Sequence, residues 1–264
     1  LLKYKTIKNY YSDHKKNFYS QNGEDGILNE IIKNLGLDKK IFLCEFGAWD
    51  GKFLSNTFNI VKDFESTALF IESDQERFKN LLITANEYKN IIPINRTVSS
   101  KGENSLDKIL KENNFPSDFD LLSIDVDSND LEIWEGMVNF KPKIVIIEIN
   151  SNIKPEIYQR HNPDEGKFGN SFFSTINVGK IKGYLPIIHT GNLIFVDDQF
   201  KDKLKIDLNI LENPKIIFNY DWINQNNFLT KFVSFILPLF IKKRISLRLK
   251  KIFKPTYNNY ERFK

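Results

Sequence analysis

The chain has one cysteine in 264 residues. That excludes a disulfide framework and a cysteine-based metal site, and it suits a reducing cytoplasm. Histidine is nearly as scarce, with three, so only His14, His161 and His189 are available as imidazole bases. No one sign of charge dominates: 38 basic and 34 acidic residues give a net charge of +4, too balanced for a nucleic-acid footprint. No hydrophobic run approaches the roughly 20 residues a membrane span requires. The start carries no signal-peptide pattern, and Leu1 in place of Met reads as a trimmed end. Gly-x-Gly-x-x-Gly, the fingerprint of dinucleotide pyrophosphate sites, is missing as well.

The sequence does contain Phe42-Leu43-Cys44-Glu45-Phe46-Gly47-Ala48-Trp49-Asp50-Gly51, an apolar strand that meets an acid and then two glycines. Glycines at such a place let the backbone approach a ligand or take positive φ. A second buried-type strand, Thr67 to Asp74, carries Glu72 at its end, 27 residues after Glu45. An acid so placed accepts hydrogen bonds from ribose hydroxyls. With Gly-x-x-x-Gly as its glycine loop, the pattern points away from NAD and toward S-adenosyl-L-methionine, which has a ribose but no pyrophosphate to cradle. Cys44, inside the apolar strand, reads as a small buried hydrophobe.

Apolar residues at helical spacing predict a helix over residues 27–37, with Asn22 or Asp25 as cap and Gly36 as stop. Strands are predicted at 41–45, 68–72, 91–95, 121–125 and 144–149, as short apolar runs typical of parallel strands covered on both faces. Helices are predicted between them at 56–64, 75–86, 105–113 and 130–137. This alternation is α/β, an open and mostly parallel sheet that binds ligands outside the carboxyl ends of its strands. Glu45, Glu72, Asp125 and Glu148 all fall at such ends. Residues 151–175 form a polar loop of functional length, followed by a helix at 174–182. Strands 184–188 and 192–196 then close the sheet edge as a hairpin through His189-Thr190-Gly191.

Taken together, these pieces resemble class I S-adenosylmethionine-dependent methyltransferases, and within them the FkbM-type family. The resemblance rests on Ser20 to Ile27, Glu45 to Gly51, Ser55-Asn56-Thr57, Ile71-Glu72, Ser105-Leu106-Asp107, Leu122 to Asp130, Glu148-Ile149-Asn150, Gly183-Tyr184 and Asn192 to Val196. It covers roughly residues 18 to 200. It implies a Rossmann-like fold with a mostly parallel sheet and a closing antiparallel edge hairpin, plus a C-terminal helical extension. Residues 1–40 would form a leader and helix over the cofactor site, 41–200 the methyltransferase domain, and 201–264 the extension. The implied cofactor-binding set is Gln21, Glu45, Gly47, Ala48, Asp50, Gly51, Ser55, Asn56, Glu72, Ser73, Val98 and Asp125. Where the family often has Asp-x-Glu-Gly, this chain has Asp125-Val126-Asp127-Ser128.

The implied reaction is methylation of a hydroxyl on a sugar or sugar-containing precursor, as in polysaccharide biosynthesis. Such a hydroxyl must lose a proton, and the candidate catalytic residues are Asp125, Asp127, His161 and His189. His14, in the basic leader, reads as a surface residue. A second route uses Mg or Mn bound by Asp125, Glu148 and Asn150. Residues 229–254 mix Phe232, Phe235, Leu239 and Phe240 with basic residues from Lys242 to Lys254. They are open to three readings: a helix pair capping the core, a homodimer contact, or peripheral contact with the cytoplasmic face of a membrane. An NAD-type oxidoreductase and a non-catalytic binding protein are the alternatives in function. No nucleic-acid partner is expected.

Overall fold

A computed structural model describes residues 9–37, 40–126, 129–207 and 209–223. A seven-stranded sheet runs β1 (Ile41–Phe46), β2 (Ser66–Glu72), β3 (Ile91–Asn95), β4 (Leu121–Ile124), β5 (Ile144–Glu148), β6 (Tyr184–His189) and β7 (Asn192–Asp197). Its spatial order is β3-β2-β1-β4-β5-β7-β6. The first five strands pair in parallel, and β7 enters antiparallel between β5 and β6. The central strands β1, β4 and β5 are apolar along nearly their whole length because helices cover both faces. Proline, which cannot donate to a ladder, occurs within the strands only at Pro93 and Pro186, in the outermost strands β3 and β6.

The connecting helices are α1 (Glu24–Leu35), α2 (Phe58–Asp63), α3 (Gln75–Glu87), α4 (Leu106–Glu112), α5 (Asp130–Gly136) and α6 (Phe172–Ile181), with a short α7 (Asn209–Glu212) beyond the sheet. α1 begins three residues earlier than its periodicity predicts. Its N-cap is Gly23, neither Asn22 nor Asp25, and Gly36 ends it in the left-handed region as expected. The reason is that Asp25 uses its carboxylate elsewhere. Its Oδ2 accepts from the backbone N–H groups of Phe18, Tyr19 and Ser20 and from Ser20 Oγ, at 2.7, 2.8, 2.8 and 2.9 Å. The leader is thereby strapped across the start of α1, where a Cβ on Gly26 would fall 2.1 Å from the His14 carbonyl.

The loop predicted over residues 151–175 ends at Ser171, because α6 begins at Phe172, and the segment bonds to itself: Asn150 N–H to Asn170 O at 2.8 Å, Ser171 N–H to Gln159 O at 2.9 Å, and paired bonds between Asn162 and Lys167. Arg160 forks onto Glu132 and Glu135 of α5, which ties the loop to the domain. The hairpin turn is tighter than predicted, since His189 still belongs to β6.

Residues up to Tyr220 belong to one compact unit. Segment 201–220 is thus part of that unit, with Ile210, Ile217 and Phe218 buried. Residues 229–254, read from sequence as a basic and apolar extension, lie outside the described residues. Among the described residues no helix is long and apolar enough to cross a membrane.

Phe195 on β7 packs 5.1 Å from the Trp134 ring, and Gly179 of α6 leaves room for it. Phe195→Ala is expected to cost about 3–5 kcal/mol, measured by urea unfolding.

Candidate functional site

Four acids stand at or next to the carboxyl ends of the strands, as the apolar runs ending in acids predict. Glu45 is the penultimate residue of β1 and only 4% exposed. Its Oε2 accepts from Ser55 Oγ at 2.6 Å and Thr57 Oγ1 at 2.5 Å, and its Oε1 from Asn56 N–H at 3.1 Å. Burial pushes its carboxyl above the usual range, against the pull of those donors. This bonding also explains why α2 starts at Phe58 rather than at Asn56: residues 55–57 are spent on Glu45. Ser55 and Asn56 are buried partners of Glu45.

Glycine is required at position 47. Its φ is +76°, and a Cβ there would lie 1.8 Å from the backbone oxygen of Asp125. The loop is tied to β2 as well, because Gly47 and Ala48 donate to Ile71 O at 3.0 and 3.2 Å. Trp49 has a positive φ of 52°, and its N–H donates to Glu72 Oε2 at 2.9 Å. The Arg77 guanidinium lies over the Trp49 ring at 3.9 Å, a cation–π contact that covers the turn. Asp50 Oδ1 accepts from Lys52 N–H and Phe53 N–H, so this acid shapes the loop, and Gly51 packs against Leu81 and Phe70.

Glu72, 3% exposed, also receives Asp74 N–H on Oε1 at 2.8 Å. Each oxygen thus has one donor, and each can accept another. Asp125 follows β4 directly, with its carbonyl against Gly47. The structure therefore brings Glu45, Gly47, Glu72 and Asp125 together on adjacent strands. Ser73 and Gln21 are exposed and Val98 is half-buried. Asp127 lies outside the described residues.

The histidines are placed differently. His161 Nδ1 accepts Gly169 N–H at 3.0 Å, so the neutral ring carries its proton on Nε2. His189 is 1% exposed and stacked on Phe218. Its Nδ1 accepts Asn219 N–H at 3.0 Å, and its Nε2 meets Ser151 Oγ at 2.8 Å, which in turn donates to Gly191 O at 3.0 Å. Both nitrogens are engaged, so in place of the base expected from sequence the structure has a buried tie between the β6–β7 turn, the post-β5 loop and Asn219. Burial pushes its pKa down to about 3.

For the proposed metal set, the Asn150 amide is committed to its own loop: its Nδ2 donates to Phe168 O at 2.8 Å and its Oδ1 accepts from Asn152 N–H at 3.2 Å. Among the described residues no group of three or more His, Cys, Asp or Glu is gathered as a metal would need. Cys44 is a core residue whose thiol burial pushes up. Sequence reasoning missed Trp49, whose amide orients Glu72, and Thr57, the second hydroxyl on Glu45. A hydroxyl-rich Ser55-Asn56-Thr57 ten residues after a buried acid was the available signal.

A family model described as "Methyltransferase FkbM domain" matches residues 31–176. Among solved structures, CurJ carbon methyltransferase is 12% identical with a TM-score of 0.43, over 65% of this chain and 52% of that one. This chain thus spans about half of CurJ. The N-terminal domain of EvdMO1, solved in the presence of SAH and D-fucose, is 10% identical with a TM-score of 0.42, over 66% and 82%. A SAM-dependent methyltransferase from Aquifex aeolicus is 14% identical with a TM-score of 0.39, over 64% and 86%. A search of curated proteins found no match.

Two outcomes follow. Gly47→Ala should lower stability by about 2 kcal/mol or more through strain and collision, whereas Gly166→Ala, also at positive φ but with open space around it, should cost about 1 kcal/mol; urea unfolding compares the two. A His189 that binds protons more weakly folded than unfolded makes stability fall as pH drops from about 6.5 toward about 3. His189→Gln should therefore show a shallower loss of stability than the parent across that window.

Proposed function

The chain belongs to the FkbM methyltransferase domain family and has the Rossmann-like class I methyltransferase fold, and on that footing we propose that it is an S-adenosylmethionine-dependent O-methyltransferase acting on a sugar or sugar-containing precursor. The observation that carries the cofactor reading is the joined pair Gly47 and Glu72. A loop that admits no Cβ lies beside a buried carboxylate whose two oxygens each keep capacity for one hydroxyl, which suits a ribose diol.

S-adenosyl-L-methionine, when bound, supplies an electrophilic methyl group. The chain's own part is to hold the acceptor oxygen in line and to receive its proton as the new C–O bond forms and the S–C bond breaks. Glu72 would hold the ribose, and the Gly47–Gly51 loop the methionine portion. Asp125, next to that loop at the end of β4, is the residue we assign to the acceptor, as orienting group and proton acceptor. His161, on the loop after β5, stands on the same rim with Nε2–H as a donor, suited to positioning an acceptor oxygen. The sugar assignment rests on the family resemblance and on the polar character of residues 151–171. We place the protein in the cytoplasm.

S-adenosylhomocysteine at 100 times its Kd should stabilise the fold by about 2.7 kcal/mol, read as a rise in Tm, and NAD should give none. Glu72→Gln should weaken binding by about tenfold or more. A chain that binds NAD and ignores S-adenosylhomocysteine would overturn the cofactor reading. Absence of methyl transfer to any sugar hydroxyl by a chain that binds it would overturn the acceptor reading.

A further inference from the structure

Phe168, in the loop between β5 and α6, is 63% exposed. A lone exposed apolar side chain is ordinary on a protein surface; what sets this one apart is its frame. Its carbonyl accepts from Asn150 Nδ2 at 2.8 Å and from Gln159 Nε2 at 3.2 Å. The paired bonds of Asn162 and Lys167 close a hairpin just before it, and Gly169 just after it has a φ of +72°, where a Cβ would lie 2.9 Å from that of Asn150. The backbone path is thus fixed on both sides of the ring. The ring itself meets the His161 imidazole edge-on, with centroids 6.4 Å apart.

The hairpin is anchored on both sides of Asp125. Asn150 follows β5 by two residues, and Arg160 forks onto Glu132 and Glu135 of α5, the helix that comes next after Asp125. Ile124 and Ile147 are register partners, so Asp125 and Glu148 stand side by side where β4 and β5 end. Arg160 and Lys167 are paired with Glu132, Glu135 and Glu165, which removes the hairpin's two permanent cations as receptors for an anion. It offers instead an aromatic face with an imidazole N–H beside it. A pyranose matches that combination, because C–H groups gather on one face of its ring while hydroxyls line its edge. A flat hydrocarbon would leave the imidazole donor unused.

We infer that Phe168 is a specificity-determining residue for the acceptor, its ring stacking on the C–H face of a neutral pyranose whose hydroxyl edge is turned toward His161 Nε2–H and Asp125. This rests on the sugar reading above and adds to it a residue, a mode of contact and a charge class. A stacking face selects by which side of the sugar ring is clear of hydroxyls and not by charge. The hairpin bonds matter to that selection, since a ring on a fixed backbone loses little freedom when the sugar arrives.

The test is titration and saturation-transfer NMR of methyl β-D-galactopyranoside, methyl β-D-glucopyranoside and phenol on the full chain saturated with S-adenosylhomocysteine. The parent should bind at least one glycoside, with saturation strongest on the C–H protons of one face. Phe168→Leu, which keeps apolar bulk and removes the ring, should weaken that binding by about 3- to 10-fold. Phe168→Trp should retain it. Ile181→Ala should leave it unchanged, because that exposed apolar residue ends α6 near the start of β6, away from the rim. An unchanged Tm in each variant separates lost contact from lost fold; should Tm fall, the parent's saturation pattern decides. A glycoside bound equally by the parent and Phe168→Leu, or saturated equally on both faces, overturns the inference and leaves the sugar reading standing. A parent that binds neither glycoside, or phenol alone, overturns both.

Discussion

The contact on which the site depends is between the Asp125 carbonyl and the α-carbon of Gly47. At that position the chain has no room for even a methyl group. Any side chain would separate the end of β4 from the loop after β1, and the same loop carries the Trp49 amide that orients Glu72 on β2. Three strand ends thus behave as one body. The backbone strain at Trp49, which has a Cβ and a φ of 52°, is the cost of that closeness, and it is offset by the amide bond to Glu72 and the Arg77 contact over the indole.

Buried carboxylates of similar type do different work on this rim because their donors differ. Glu45 takes three donors from residues 55–57, two of them on Oε2, and acts as a structural anchor from which α2 departs. Glu72 is held in place by one donor per oxygen and retains capacity. Asp25 is divided, with one oxygen crowded and the other bare. A buried carboxylate is common to all three cases and does not separate them. The count of lone pairs already used does.

That distinction marks where the sequence stopped being readable. The five parallel strands follow from apolar runs long enough for burial on both faces, and the edge hairpin from two further runs with a short polar turn between them. Helix starts were less legible, since local hydrogen bonding overrides periodicity: Asp25 draws α1 forward to cover its strap, and Ser55 to Thr57 hold α2 back. Histidine roles were unreadable for a related reason. His189 looks available in a turn, but its burial and its bond from Asn219 come from residues 30 positions away. Trp49 could not be singled out because nothing local announces positive φ in a residue with a large side chain.

The two strand prolines have a consequence beyond this fold. An open sheet has two unpaired ladders along its margins, and each can template the addition of a strand from another molecule. Pro93 and Pro186 each remove a donor from one of those margins, and the irregular register at Pro186 distorts the outer ladder further. An incoming strand thus finds fewer donors on either margin, which opposes edge-to-edge joining of copies into continuous sheets.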